Sequence, residues 1–181
     1  ANFSCCYQNA CAAAQEYENV FVVDSENLST GQGLLVVAAA KLAEQGLSGA
    51  EIAERVRALA PKVEASFLIE RLDYMRKGAN LLHLKPCIEV RNGKMAVCKK
   101  YRGSFEKCIR QYVKERLNGR EDIAPELAFI THAAADANVV AAAKEEAAQY
   151  GSFETVEETQ AGCTVSCHCG PNTLGILFVR K

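Results

Sequence analysis

Pro86-Cys87-Ile88-Glu89-Val90, then Asn92-Gly93, then Met95-Ala96-Val97-Cys98: two strand-like runs meet across the dipeptide that most favours a two-residue hairpin turn. This predicts an antiparallel pair, and the segments around it extend the pair into a sheet. Val63 to Ile69 reads as a strand ahead of it. Behind it, Phe105 to Leu117 sets Phe105, Cys108, Ile109, Tyr112, Val113 and Leu117 on one stripe, the period of a helix with one buried face. Leu127-Ala128-Phe129-Ile130 is a short continuous apolar run, a buried strand. An Ala-rich helix from Asn138 to Gln149 follows, then strands from Phe153 to Thr159 and Leu174 to Val179. Residues 61–181 therefore read as an antiparallel α+β lobe with both helices on one face of the sheet.

Ahead of Pro61 the pattern changes. Cys5 to Glu16 is rich in helix formers, and Ser4 stands before it as an N-cap whose hydroxyl, beside free helix-start N–H groups, also suits an anion. Val20-Phe21-Val22-Val23 has the form of a buried parallel-type strand, ending in Asp24-Ser25. A loop of Ser29-Thr30-Gly31-Gln32-Gly33 leads into the helix Leu34 to Gln45. The loop lacks the Lys-Ser/Thr of a phosphate loop and the third glycine of the dinucleotide fingerprint, so a nucleotide site is weakly supported. Gly46 ends that helix, Ser48-Gly49-Ala50-Glu51 is a capping box for the next, and Pro61 ends that one. Residues 1–60 read as the remaining part of a parallel α/β/α lobe.

The 181 residues are 49% hydrophobic and 24% charged, with a net charge of −1, and no run is apolar enough to span a bilayer. The chain opens at Ala1 without a Met, which reads as a truncated start. Nine cysteines, an odd count with no signal peptide, point to reduced thiols in the cytoplasm.

The stretch Gly162 to Gly175 has the form of a site. His168 is held between small residues, Gly170-Pro171-Asn172 turns the chain, and Ile176-Leu177-Phe178-Val179 pins that turn to the core. The same stretch carries Cys163, Cys167 and Cys169, zinc-type ligands. If Val165 to Cys169 is extended, however, Cys167 and Cys169 face one way and His168 the other. His83 and His132 sit beside apolar strands, where a satisfied rim or core position fits better than catalysis. No cofactor motif and no catalytic constellation is legible, so the chain reads as a non-enzyme.

Basic residues gather between Lys94 and Arg120, on either a solvated helix face or a docking face for an acidic partner. The aromatics that would interleave for nucleic acid turn to the core, so no nucleic acid is expected. Arg102, at a strand end before Gly103, is placed for presentation to a partner or an anion.

Taken together these segments resemble the DegV family of bacterial fatty acid binding proteins, carrier subunits of fatty acid kinase. Phe3-Ser4-Cys5-Cys6-Tyr7-Gln8 is similar to the family's Leu-Ser-Gly-Thr-Tyr-Gln, and Asp24-Ser25 through Ser29-x-Gly31-x-Gly33 to its next block. Leu72-Asp73-Tyr74-Met75-Arg76-Lys77-Gly78, Leu84-Lys85-Pro86-Cys87-Ile88 with Asn92-Gly93, and Arg102-Gly103 follow in family order. His168-Cys169-Gly170-Pro171 with Gly175 is close to the closing His-x-Gly-Pro-Gly-x-x-Gly.

The resemblance implies a long-chain fatty acid in an apolar tunnel, its carboxylate met by Ser4 and His168, and a face around Arg102 turned to the kinase. The family's first lobe would precede Ala1, and its Gly-Arg-rich segment would fall between Gly78 and Ala79. Without that lobe, tight lipid binding is not expected. Cys5, Cys6 and Asn172 stand where the family has Gly, Thr and Gly. The competing expectation, from a different class, is a cytosolic thiol or zinc-binding protein using Cys163, Cys167 and Cys169.

Overall fold

A computed structural model of the chain describes residues 4–70 and 84–181. Phe3, the block from Leu72 to Gly78 and His83 lie outside the described residues. The elements run α1 (Cys6–Ala14), α2 (Ser29–Glu44), α3 (Gly49–Leu59), a 3₁₀ turn (Ala60–Lys62), β1 (Val63–Ile69), β2 (Leu84–Arg91), β3 (Lys94–Arg102), α4 (Phe105–Leu117), β4 (Ile123–Ala133), α5 (Ala137–Tyr150), β5 (Val156–Gln160), α6 (Cys163–Cys169) and β6 (Thr173–Arg180).

The strands form one sheet in the order β3-β2-β1-β6-β4-β5. Its pairs are antiparallel apart from β4 with β5, so the sheet is mixed. The β2–β3 hairpin closes as its sequence predicts, with Asn92 at φ 50° and Gly93 at φ 65°, the left-handed pair of a type I′ turn. One irregularity interrupts that ladder: Cys87 pairs with Lys99 but Ile88 with Val97, which leaves Cys98 as the extra residue of a bulge.

The continuous apolar run of β6 is explained by cover on both faces. Leu174, Ile176 and Phe178 join the cluster under α4 and α5, while Leu177 joins the cluster under α2 and α3. The predicted stripe of α4 is buried in full. Tyr112 on that stripe reaches the sheet: its phenol donates to the Ser66 carbonyl at 2.7 Å and accepts from the Ile176 amide at 3.1 Å, tying β1 to β6. Among the described residues no helix is long and apolar enough to cross a membrane.

Three sequence expectations are corrected. Val20 to Val23 forms no strand. An apolar run becomes a strand only where a neighbour meets its backbone groups, and here the Val22 carbonyl accepts from the Arg57 guanidinium at 3.2 Å instead. The expected loop from Ser29 to Gly33 is already the first turn of α2. Its Gly31 serves close packing, since a Cβ there would sit 2.9 Å from the Asn27 Oδ1. Third, Cys163 to Cys169 is a helix, not an extended segment. Glycines bracket it, Gly162 as N-cap and Gly170 after its end at φ 78° and ψ 171°, a backbone conformation open almost only to glycine.

Candidate functional site

At the end of the sheet where β6 begins and β4 ends, α6 roofs a small apolar cavity of about 40 Å³. Phe67 of β1 and Gly175 and Leu177 of β6 form its floor, Leu28 and Ser29 one wall, and Val165 and Cys169 of α6 its roof. The floor depends on Gly175, because a Cβ there would lie 2.4 Å from the Ser66 carbonyl oxygen and 2.9 Å from the Phe67 Cβ. Val165 and Cys169 are four apart and share the inward face of α6, which leaves His168 exposed in its last turn.

A polar chain runs along one side of the cavity. The hydroxyls of Thr30 and Thr131 pair, and Thr131 pairs again with Thr159 at 2.9 Å. On the opposite face of β4, the α5 side, His132 is buried, with Nδ1 accepting from the Ala135 amide at 3.2 Å and Nε2 facing Glu158 at 3.2 Å. That assigns the ring proton to Nε2. Lys144, 2.6 Å from Glu158, and then His132 hold the Glu158 carboxyl below the usual carboxylate range. Thr30 and Thr131 are 101 residues apart, so nothing in local sequence could have paired them.

The turn after α6 is held by Asn172, the residue that stands where the resemblance has glycine. It takes a left-handed φ of 53°. Its amide then accepts from the Asp136 N–H at 2.8 Å and donates to Glu70 at 2.9 Å, fixing the turn to the start of α5 and the end of β1. Thr173 donates to the Cys169 carbonyl at 3.0 Å and holds the last turn of α6 against β6.

Ser4 is exposed and sits one residue ahead of its expected place, because the N-cap of α1 is Cys5. Its hydroxyl still accepts from the Cys6 amide at 3.2 Å. Among the described residues no hydrogen bond joins Ser4 to His168. Arg102 is the exposed last residue of β3, followed by Gly103 at φ 136°. Register places it at the same end of the sheet as α6, since Leu84 faces Arg102, Leu68 faces Cys87 and Ile69 faces Thr173. Three strand spacings separate β3 from β6, roughly 14 Å.

The basic stretch is largely matched from elsewhere in the fold. Arg110 pairs with Glu106, Glu145 and Glu146, Arg116 with Glu64, and Arg120 with Glu64 and Asp122. The zinc reading finds no support. Cys163 and Cys167 share an exposed helix face, Cys169 is buried beneath it, and no group of three potential ligands gathers among the described residues. Burial pushes the Cys169 thiol up, which keeps it protonated.

Comparison with known proteins places this geometry. The family model described as "Uncharacterised protein, DegV family" matches residues 1–181. A DegV domain-containing protein of Clostridium acetobutylicum is 31% identical over 97% of this chain and 65% of its own length, so the chain spans about two thirds of that relative. A DegV lipid binding protein from Thermotoga maritima has a similar structure, with a TM-score of 0.83 at 25% identity, covering 100% of this chain and 67% of that one. A DegV family protein from Thermus thermophilus, described for its fatty acid binding, is similar at a TM-score of 0.83 and 26% identity, over 99% of this chain and 68% of its own. The chain belongs to the DegV family.

Proposed function

We propose that this chain takes part in binding a long-chain fatty acid, with the acyl chain entering beneath α6 and the carboxylate meeting His168 and Ser4. The observation that carries this reading is the apolar cavity roofed by the helix whose last turn presents His168. The fatty acid and lipid binding described for the two structurally similar DegV proteins supports it. Burying a carboxylate is costly unless donors meet it, and an imidazole N–H with a hydroxyl at a helix start supplies them. Each buried methylene then contributes about 0.8 kcal/mol before the costs of binding. A cavity of about 40 Å³ is far below the ~300–1,000 Å³ of ordinary ligand pockets. In this reading the acyl chain widens the cavity as α6 shifts, with Gly162 and Gly170 at its ends supplying the backbone freedom.

Arg102, exposed at the same end of the sheet, serves in this reading as the docking point for a fatty acid kinase. The test is native mass spectrometry after incubation with palmitate and oleate, on this chain and on a longer form carrying an N-terminal lobe. Bound acid on the longer form that is lost on Ser4→Ala with His168→Ala supports the carrier role. Both forms empty of lipid overturns it. Arg102→Glu should lower acyl phosphate formation with the kinase while leaving lipid binding intact, and equal turnover removes Arg102 from the docking face.

A further inference from the structure

The bulge in the β2–β3 hairpin turns a side chain round. Lys99 and Tyr101 point to α4, where both reach Glu115, at 2.7 and 2.6 Å. In a regular strand Cys98, next to Lys99, would face the other way. As the extra residue of the bulge it instead brings its sulfur to α4, where the Arg116 Nη2 donates to it at 3.1 Å. The same nitrogen lies 3.6 Å from the Cys87 sulfur, and the Cys98 thiol donates to the Cys87 carbonyl at 3.4 Å. Cys98 is exposed and Cys87 buried. The shared guanidinium nitrogen and the Cys98 thiol's contact with the Cys87 carbonyl bring the two side chains together on neighbouring strands, which lie about 4.7–4.9 Å apart. Glu64 at 3.4 Å and Glu89 at 3.9 Å share the Arg116 charge from the sheet side.

We propose that Cys98 and Cys87 are a thiol pair that a hydroperoxide closes into a disulfide, with Cys98 reacting first and Cys87 resolving. The Cys98 sulfur attacks the terminal peroxide oxygen, the O–O bond breaks, and an alcohol or water leaves a sulfenic acid on Cys98. The Cys87 sulfur then attacks the Cys98 sulfur, the S–S bond forms, and the hydroxyl departs with the Cys87 proton as water. Two thiols lose two electrons and the peroxide gains them. Access sets the order, because only Cys98 is open to solvent. Burial also pushes the Cys87 thiol up to about 12, so it is not the sulfur that meets the peroxide first. Reactive cysteines occupy partly exposed, cationic surroundings, whereas buried ones in apolar surroundings are inert. Cys5, Cys6, Cys163 and Cys167 are exposed as well, but among the described residues no arginine or lysine donates to them. They are internal controls within one chain.

The experiment is hydrogen peroxide treatment of the reduced native protein, with non-reducing peptide mapping over time. The expected product is a peptide pair joined through Cys87 and Cys98, lighter by two hydrogens and reversed by dithiothreitol. It should form while the four control cysteines stay largely unmodified. Cys87→Ser should halt the reaction at a sulfenic acid on Cys98 that dimedone traps, and Cys98→Ser should abolish the cross-link. Arg116→Gln should slow closure relative to the wild-type chain, because it removes the guanidinium that donates to the Cys98 sulfur. Two results overturn the proposal: Cys98 oxidised no faster than the controls, or Cys98 oxidised in the wild-type chain with no link to Cys87. Should Arg116→Gln fail to fold, the comparison among cysteines within the wild-type chain decides alone.

Discussion

Tyr112→Phe removes one oxygen atom from the fully buried centre of the fold and leaves the ring packing in place. That oxygen bridges two strands, because it donates to the Ser66 carbonyl and accepts from the Ile176 amide, and it also lies 2.8 Å from the Ser66 hydroxyl. Without it the Ile176 N–H and the Ser66 hydroxyl each lose a buried partner. A buried polar group left unpaired costs about 1–3 kcal/mol, so two of them predict a loss of about 3 kcal/mol. Urea unfolding followed by far-UV circular dichroism measures it as a lower midpoint at unchanged m-value. A loss below about 1 kcal/mol at unchanged m would refute the bridge, since the strands would then satisfy their polar groups without the phenol. Combining the change with Ser66→Ala should be less costly than the sum of the two alone, because both act on one hydrogen-bonded cluster.

Gly175→Ala forces a Cβ to within 2.4 Å of backbone on β1. The expected cost is about 3 kcal/mol, the upper range for overpacking, and a thermal midpoint equal to wild type would mean that β1 and β6 separate freely. Gly170→Ala puts a side chain where φ is 78° and ψ 171°. It should cost about 1–3 kcal/mol and speed hydrogen exchange across α6, and unchanged exchange there would show that Gly170 does not hold the helix end. Glu158, depressed by Lys144 and His132, contributes stability that is full above the ordinary carboxylate range and is lost as pH falls through its lowered folded value. Glu158→Gln should therefore flatten the acid side of a melting-temperature profile, and a variant that keeps the wild-type slope contradicts the pairing.

Much of the architecture was legible because its signals are local. The limits of α4 follow from a 3.6-residue stripe, and the hairpin from Asn92-Gly93, whose left-handed angles few other pairs accept. The Ser48 capping box is formed as read, with the Glu51 carboxylate accepting from the Ser48 amide at 2.9 Å. α6 was missed because Thr164, Val165 and Ser166 are poor helix formers. The available signal was a glycine at each end with Val165 and Cys169 four apart. Val20 to Val23 misled for the opposite reason: apolar composition alone does not supply a ladder partner.

The sequence by itself determined the approximate positions of the strands along the chain, the buried stripe of α4 and, through motifs in order, the family. Each of these rests on residues within a few positions of one another. Only the tertiary structure decided that Thr30 meets Thr131, that distant glutamates neutralise much of the basic stretch, and that a bulge brings Cys98 beside Cys87 and Arg116. These contacts depend on sheet register and on which helix covers which face, and a one-residue slip in register inverts the facing of every side chain beyond it.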